Sequence, residues 1–169
     1  MKANLFGSML VADIIRAMLK LNFGWLASLM LGLCSVNLLA QDYNLTLQHT
    51  TLVVSDFVES KKFYTEILKL KDMGADWLPE NQMFISLGDN LELHVGEVPG
   101  VEIRPSSFNH FAISTNDLDG FLVYLNSQGV DHYSLGGEEK HQVQRRPDGV
   151  RQTFIQDPDG YWIEINDAQ

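Results

Sequence analysis

The sequence predicts an α+β fold of paired βαβββ modules in one domain, their curved sheets enclosing a cleft, and three observations predict it. First, laying residue 49 on residue 110 repeats a pattern at an offset of 61: His49 meets His110, Leu52 meets Ile113, Asp56 meets Asp117, Phe57 meets Leu118 and Phe63 meets Tyr124. Second, each copy opens on an alternating stretch, LQHTTLVV and SFNHFAIST, with the period of a half-buried strand. Third, each stretch runs into an Asp that precedes an apolar stripe at helical spacing.

In the first copy Asp56 and Glu59 have the spacing of a capping pair, and Phe57, Tyr64, Ile67 and Leu68 make the stripe of a helix ending near 69. Strands are expected over 71–77, 82–88 and 91–96, the last two joined by the turn Gly88-Asp89-Asn90. In the second copy Leu118, Phe121, Leu122 and Leu125 fall at i, i+3, i+4 and i+7, and Gly129 stops the helix near 128. Strands are expected over 130–134, 150–156 and 161–166, with Asp157-Pro158-Asp159-Gly160 as the closing turn. The domain spans 45–167, with modules 45–97 and 106–167. Measured from His to Glu, the second copy holds eleven more residues (54 positions from His110 to Glu164, 43 from His49 to Glu92), assigned to 135–148.

The 169 residues are 45% hydrophobic and 20% charged, which suits one globular core. With 22 acidic against 12 basic residues the net charge is −10, which disfavours nucleic acid and anionic membrane surfaces as partners. The single Cys excludes an intramolecular disulfide and paired CxxC knuckles, so a metal site must draw on His, Asp and Glu. Residues 21–40 carry no charge, follow Lys20 and end in Ala40 before the polar Gln41-Asp42-Tyr43-Asn44, the layout of a signal peptide over 1–40, with Met18 as an alternative start. Export to the periplasm or medium is therefore expected, membrane contact arising only through that signal; the alternative is an uncleaved anchor over 21–40. Cleavage leaves 9 basic and 21 acidic residues, net −12.

Strand alternation sorts the candidate site residues. His49 and His110 fall on the face opposite Leu52, Val54, Phe111 and Ile113, so both look into the cleft, and Glu92 and Glu164 point away from their flanking aliphatics in Leu91-Glu92-Leu93 and Ile163-Glu164-Ile165. Imidazoles and carboxylates suit a divalent Ni, Zn, Mn or Fe ion. His94 shares the face of Glu92, so either could be the fourth-strand ligand, or His94 could reach substrate. Trp162 shares the face of Glu164 and is a candidate cavity wall, whereas Trp77, Phe84 and Tyr133 are expected in the core. Arg145, Arg146 and Arg151 flank Pro147-Asp148-Gly149 as a solvated hairpin tip, from which Arg146 or Arg151 could grip an anionic group. His132 and His141 are expected to be solvent-exposed.

The segments HTTLVVSDFVESKKFYTEILKLK, NHFAISTNDLDGFLVYLNSQGV and DPDGYWIEIND resemble the vicinal oxygen chelate superfamily, the group of glyoxalase I, bleomycin-resistance proteins and extradiol dioxygenases. The resemblance covers about residues 45–167. It implies metal ligands at His49, Glu92, His110 and Glu164, a set similar to that of bacterial glyoxalase I; on chemical grounds a loosely held carboxylate is expected to act as the base, Glu164 first, with Glu92 able to exchange roles with it. It also implies a homodimer, because modules of this family assemble across dimers. The expected function is an exported metal-dependent glyoxalase-like lyase or isomerase acting on a small oxygen-rich substrate. Little glutathione exists outside the cytoplasm, which argues against a glutathione adduct as substrate. The alternative is a non-catalytic protein that sequesters a small molecule, as bleomycin-resistance relatives do.

Overall fold

In the computed structural model the described residues are Arg16 and 44–169, so the uncharged run from 21 to 40 lies outside them. The first alternating stretch forms β1 (His49–Val54), followed by α1 (Phe57–Lys62) and a wider π-helical turn over Phe63–Ile67. Asp56 caps α1 by accepting from the Glu59 N–H at 2.9 Å. The widening shows in the Leu68 N–H, which donates to the Phe63 carbonyl five residues back, and it coincides with two successive buried rings, Phe63 and Tyr64. Then come β2 (Lys71–Asp72), β3 (Gln82–Ser86) and β4 (Glu92–Glu97). The second half repeats the plan as β5 (Phe111–Ser114), α2 (Leu118–Ser127), β6 (Gln144–Arg145), β7 (Arg151–Gln156) and β8 (Trp162–Asn166). Asp117 caps α2 through the Gly120 N–H at 2.9 Å, and Gly129 ends it at φ +76°.

Two four-stranded sheets result, ordered β1-β4-β3-β2 and β5-β8-β7-β6. In each, the first strand lies parallel to the last and forms an edge of the sheet among the described residues, while the two strands before the last are antiparallel to their neighbours. The aliphatic faces of both sheets and the stripes of both helices share one core, in which Val54, Tyr64, Ile85, Leu93, Leu118, Leu125, Ile163 and Ile165 are at most 1% exposed. Burying each such aliphatic side chain contributes about 1.5–3 kcal/mol.

Three expectations are corrected. The strand over 71–77 stops at Asp72, whose side chain accepts from the Gly74 N–H at 2.9 Å and turns the chain out of the sheet. Residues 130–134 form no strand, since only Tyr133 bridges, singly, to Phe154 and Lys140, and the outer partner of β7 is the short β6 from the additional segment. Trp77, Phe84 and Tyr133 do not enter the core: Trp77 stands 73% exposed with its edge on Phe84, Phe84 stacks on His94 on the opposite face of the sheet, and Tyr133 packs edge-on against Trp162.

The closing turn of the second half locks onto the first half. The Tyr64 hydroxyl donates to Asp157 Oδ2 at 2.7 Å, the Tyr161 hydroxyl donates to the Val53 carbonyl at 3.0 Å, and the Ser55 N–H reaches both Asp159 oxygens at 3.1 Å. Burial pushes the Asp157 carboxyl above its ordinary range, and the Tyr64 hydroxyl opposes that shift. A carboxylate whose pKa is raised on folding opposes folding increasingly as pH rises through the folded value, so the Tyr64 donor matters most at neutral pH. Tyr64→Phe should therefore lower stability by about 1–3 kcal/mol at pH 7 and by less near pH 4, read from urea denaturation midpoints. An equal loss at both pH values would contradict this assignment.

Candidate functional site

Each half brings an imidazole and a carboxylate together on the cleft face. In the second half His110 stands one residue ahead of β5, its Nδ1 2.6 Å from the Ser107 carbonyl. That contact holds the proton on Nδ1 and leaves the Nε2 lone pair facing Glu164 Oε2 at 3.4 Å. Glu164 is 7% exposed, and its Oε1 accepts from the Asn166 amide at 2.7 Å with Arg146 Nη1 3.8 Å from that same oxygen. In the first half the His49 Nδ1–H donates to the Gln48 amide oxygen, again leaving the lone pair on Nε2. A metal-binding histidine shows this arrangement, one ring nitrogen tied to an oxygen acceptor and the other presenting its lone pair.

The fourth strand is built differently from the eighth. Glu92 pairs in register with His49, and His94 Nε2 lies 2.8 Å from Glu92 Oε2. The His94 N–H, and next the Gln48 side chain, hold the Glu92 carboxyl below its usual range. The His94 ring is sandwiched between Phe84, at 3.5 Å, and His49, at 4.3 Å. Register makes His94, rather than Glu92, the positional counterpart of Glu164: His94 lies opposite Phe84 and Thr51, and Glu164 lies opposite Phe154 and Ala112. From Met83 on Thr153 the halves align without a gap at an offset of 70, against 61 at their first strands, so the second half carries nine extra residues, all between α2 and β7. The eleven counted from Glu92 include the two positions from Glu92 to His94. Among the described residues no group of three His, Cys, Asp or Glu side chains is placed to hold one ion, so the candidate ligands stand as two separate clusters within a chain.

The remaining candidates divide. Arg146 comes to Glu164 on the tip of the β6–β7 hairpin, with its other nitrogen 2.6 Å from Asp148. Arg151 does not face the cleft as a free cation: it donates to Asp167 at 2.8 Å and to Asp119 at 3.0 Å, which raises its own pKa and lowers that of Asp167. Arg145 is tied to the Gly149 carbonyl at 2.7 Å. Trp162 is roofed by the additional segment, with Tyr133 edge-on at 5.8 Å and the Gly137 backbone against its six-membered ring. His132, expected at the surface, is 4% exposed, while His141 stays exposed. The sequence reading missed the burial of His132 and the rung of His94; the ungapped match of MFISLGDN to TFIQDPDG carried the second signal.

The chain belongs to the Glyoxalase/Bleomycin resistance protein/Dioxygenase superfamily, whose profile matches residues 46–165. Lactoylglutathione lyase GLX1 of Arabidopsis thaliana is 28% identical over 130 residues, covering 69% of this chain but 42% of that protein, so the chain spans about two fifths of that relative. Among solved structures, oxidase ChaP-H2 matches at a TM-score of 0.60 with 21% identity, over 74% of this chain and 94% of its own. TnmS3, an antibiotic-binding protein from Streptomyces sp. CB03234, matches at 0.56 with 22% identity, over 74% and 97%. At these identities the structures share the fold.

Gly137 adopts φ +76°, and a Cβ there would lie 2.5 Å from Trp162 Cη2. Gly137→Val should push the segment off the indole and shift Trp162 emission to the red, read against a Trp25→Phe, Trp77→Phe background; unchanged emission would contradict the packing.

Proposed function

We propose that this chain is a metal-dependent glyoxalase-like enzyme, a lyase or isomerase, acting on a small oxygen-rich substrate. The carrying observation is the matched preparation of His49 and His110, each with Nδ1 tied to an oxygen and Nε2 presented beside a carboxylate or imidazole from the adjoining last strand. The donor chemistry fits a divalent Ni, Zn, Mn or Fe ion held by His49, His94, His110 and Glu164, with Glu92 behind His94 as the carboxylate that orients it. Strands β1 and β5, which carry or border the two histidines, are edge strands of their sheets among the described residues. A homodimer in which the first module of one copy faces the second module of another would join the two clusters, which supports that state.

A bound ion would supply Lewis-acid stabilisation of negative charge developing on a substrate oxygen. The chain's own residues do the rest. Glu164, in a largely water-free position and braced by Asn166, accepts a proton from the carbon next to a carbonyl, within reach of His110 and Arg146. Arg146 offers a guanidinium to an anionic substrate oxygen. Trp162 and Phe154 form apolar walls beside it. The second reading is a small-molecule binding protein, favoured by the aromatic row Trp77, Phe84, His94 and His49 on the cleft face and consistent with the antibiotic-binding fold neighbour. Export through residues 1–40 is the proposed route out of the cytoplasm, and mass analysis from the native host should then find a chain starting at Gln41; an intact cytoplasmic chain would refute it.

Elemental analysis of the purified protein tests the metal. His110→Ala and His94→Ala should each abolish stoichiometric metal, whereas Glu92→Gln should keep it with weakened affinity; metal retained by His94→Ala and lost by Glu92→Gln would return the fourth-strand role to Glu92. On a substrate found by screening α-hydroxycarbonyl, thiohemiacetal and diol compounds, Glu164→Gln should cost at least ~10²-fold in turnover. Tight binding of such compounds to the metal-free protein, with no turnover under any of the four metals, would favour the binding reading.

A further inference from the structure

The nine residues by which the second half exceeds the first lie between α2 and β7, where a strap over 134–142 crosses Trp162 and is pinned at its root. We propose that this strap is a pH-dependent cover over Trp162, released when His132 takes up a proton. The inference stands independently of the metal assignment.

The geometry at the root carries it. His132 Nδ1 lies 2.9 Å from Thr153 Oγ1, and the same hydroxyl lies 2.8 Å from the Gln142 carbonyl and 3.0 Å from the Tyr133 carbonyl. One β7 hydroxyl thus ties the start of the strap, its end and the buried imidazole together. The His141 N–H donates to the His132 carbonyl at 2.6 Å, and the two rings meet edge to face at 5.2 Å. Farther along, the Ser134 N–H donates to the Glu139 carbonyl and the Gly137 N–H to the Ser134 carbonyl, both at 2.9 Å, which sets the Gly137 backbone on the indole.

A proton on His132 has little to stabilise it. The ring is 4% exposed, from β7 it meets the uncharged Thr153, and the ionisable groups acting on it are His141 and Asp131. Asp131 is itself occupied by Lys140 and lies 3.6 Å from His141. Burial first, and His141 second, depress the His132 pKa below the ordinary value of 6.5, against the smaller opposing pulls of the Gln142 carbonyl and Asp131. A histidine depressed in the closed state binds its proton more tightly when the strap is open. The closed strap is therefore fully stable above the ordinary histidine value and is weakened as pH falls through it towards the depressed one. Opening would bare Trp162 on the same face of β8 as Glu164, so mild acidification widens access to the second half of the cleft.

Amide hydrogen exchange on the full chain at pH 7.5 and 5.5, corrected for the intrinsic pH dependence of exchange, tests this. Protection at Ser134, Gly137 and His141 should fall several-fold at the lower pH, up to a ceiling of about tenfold set by an open-strap histidine of ordinary pKa, while β8 amides keep theirs. His132→Gln, which keeps a side-chain amide near Thr153 without a titrating ring, should flatten the step. In the unaltered protein, the His132 ring titration read by NMR should share its midpoint with the loss of strap protection. Equal protection at both pH values, a step retained in His132→Gln, a loss shared by β8, or midpoints more than about one pH unit apart would each overturn the proposal.

Discussion

The parallel pairing of the first and last strand in each half is the constraint from which the rest of the structure follows. It sets β1 beside β4 and β5 beside β8, and so brings the residue that opens each half against the residues that close it. Because side chains alternate along a strand, the aliphatic neighbours of every cleft residue turn to the opposite face and become the core: Leu93 and Val95 flank His94, and Ile163 and Ile165 flank Glu164. Core and site are thus two faces of the same strands. A one-residue slip of β8 would carry Glu164 into the aliphatic layer and expose Ile163 and Ile165, costing stability and site together.

Each cluster is also electrostatically prepared from behind. The Ser107 carbonyl and the Gln48 amide oxygen fix which nitrogen of each histidine carries the proton, and the Glu92–His94 and Asn166–Glu164 contacts hold the neighbouring groups. In a chain with ten excess negative charges, the cationic group that approaches a cleft carboxylate, Arg146, arrives on the hairpin tip beyond the additional segment, while Arg151 is absorbed by Asp119 and Asp167. The asymmetry between the halves lies where the sequence diverges: the second half gains a roof and a guanidinium, and the first keeps an open aromatic row.

The duplicated plan was legible in the sequence because its signals are local. The Asp56 and Asp117 caps, the stripe of α2 and the alternation around His49 and His110 each rest on a few consecutive residues. What escaped depends on pairing between distant segments. The two-residue shift that puts His94 on the rung of Glu164 is set by hairpin length, and it emerges only when the offset is allowed to change from 61 to 70 after the helices. His132 sits in a stretch that reads as a polar loop, and only its contact with Thr153, 21 residues away, explains its burial. The strand over 71–77 failed for a local reason that was readable, an Asp two residues before a Gly.

The central claim is that an ion requires the first module of one copy and the second module of another. Mixing His49→Ala and His110→Ala chains after unfolding and refolding them together tests it most directly. In a mixed dimer one shared site carries both lesions and the other carries neither, so the account predicts that metal, absent from each variant alone, returns at one ion per mixed dimer. Failure of the mixture to bind more metal than its separate components, with mixed dimers shown to be present, would contradict it.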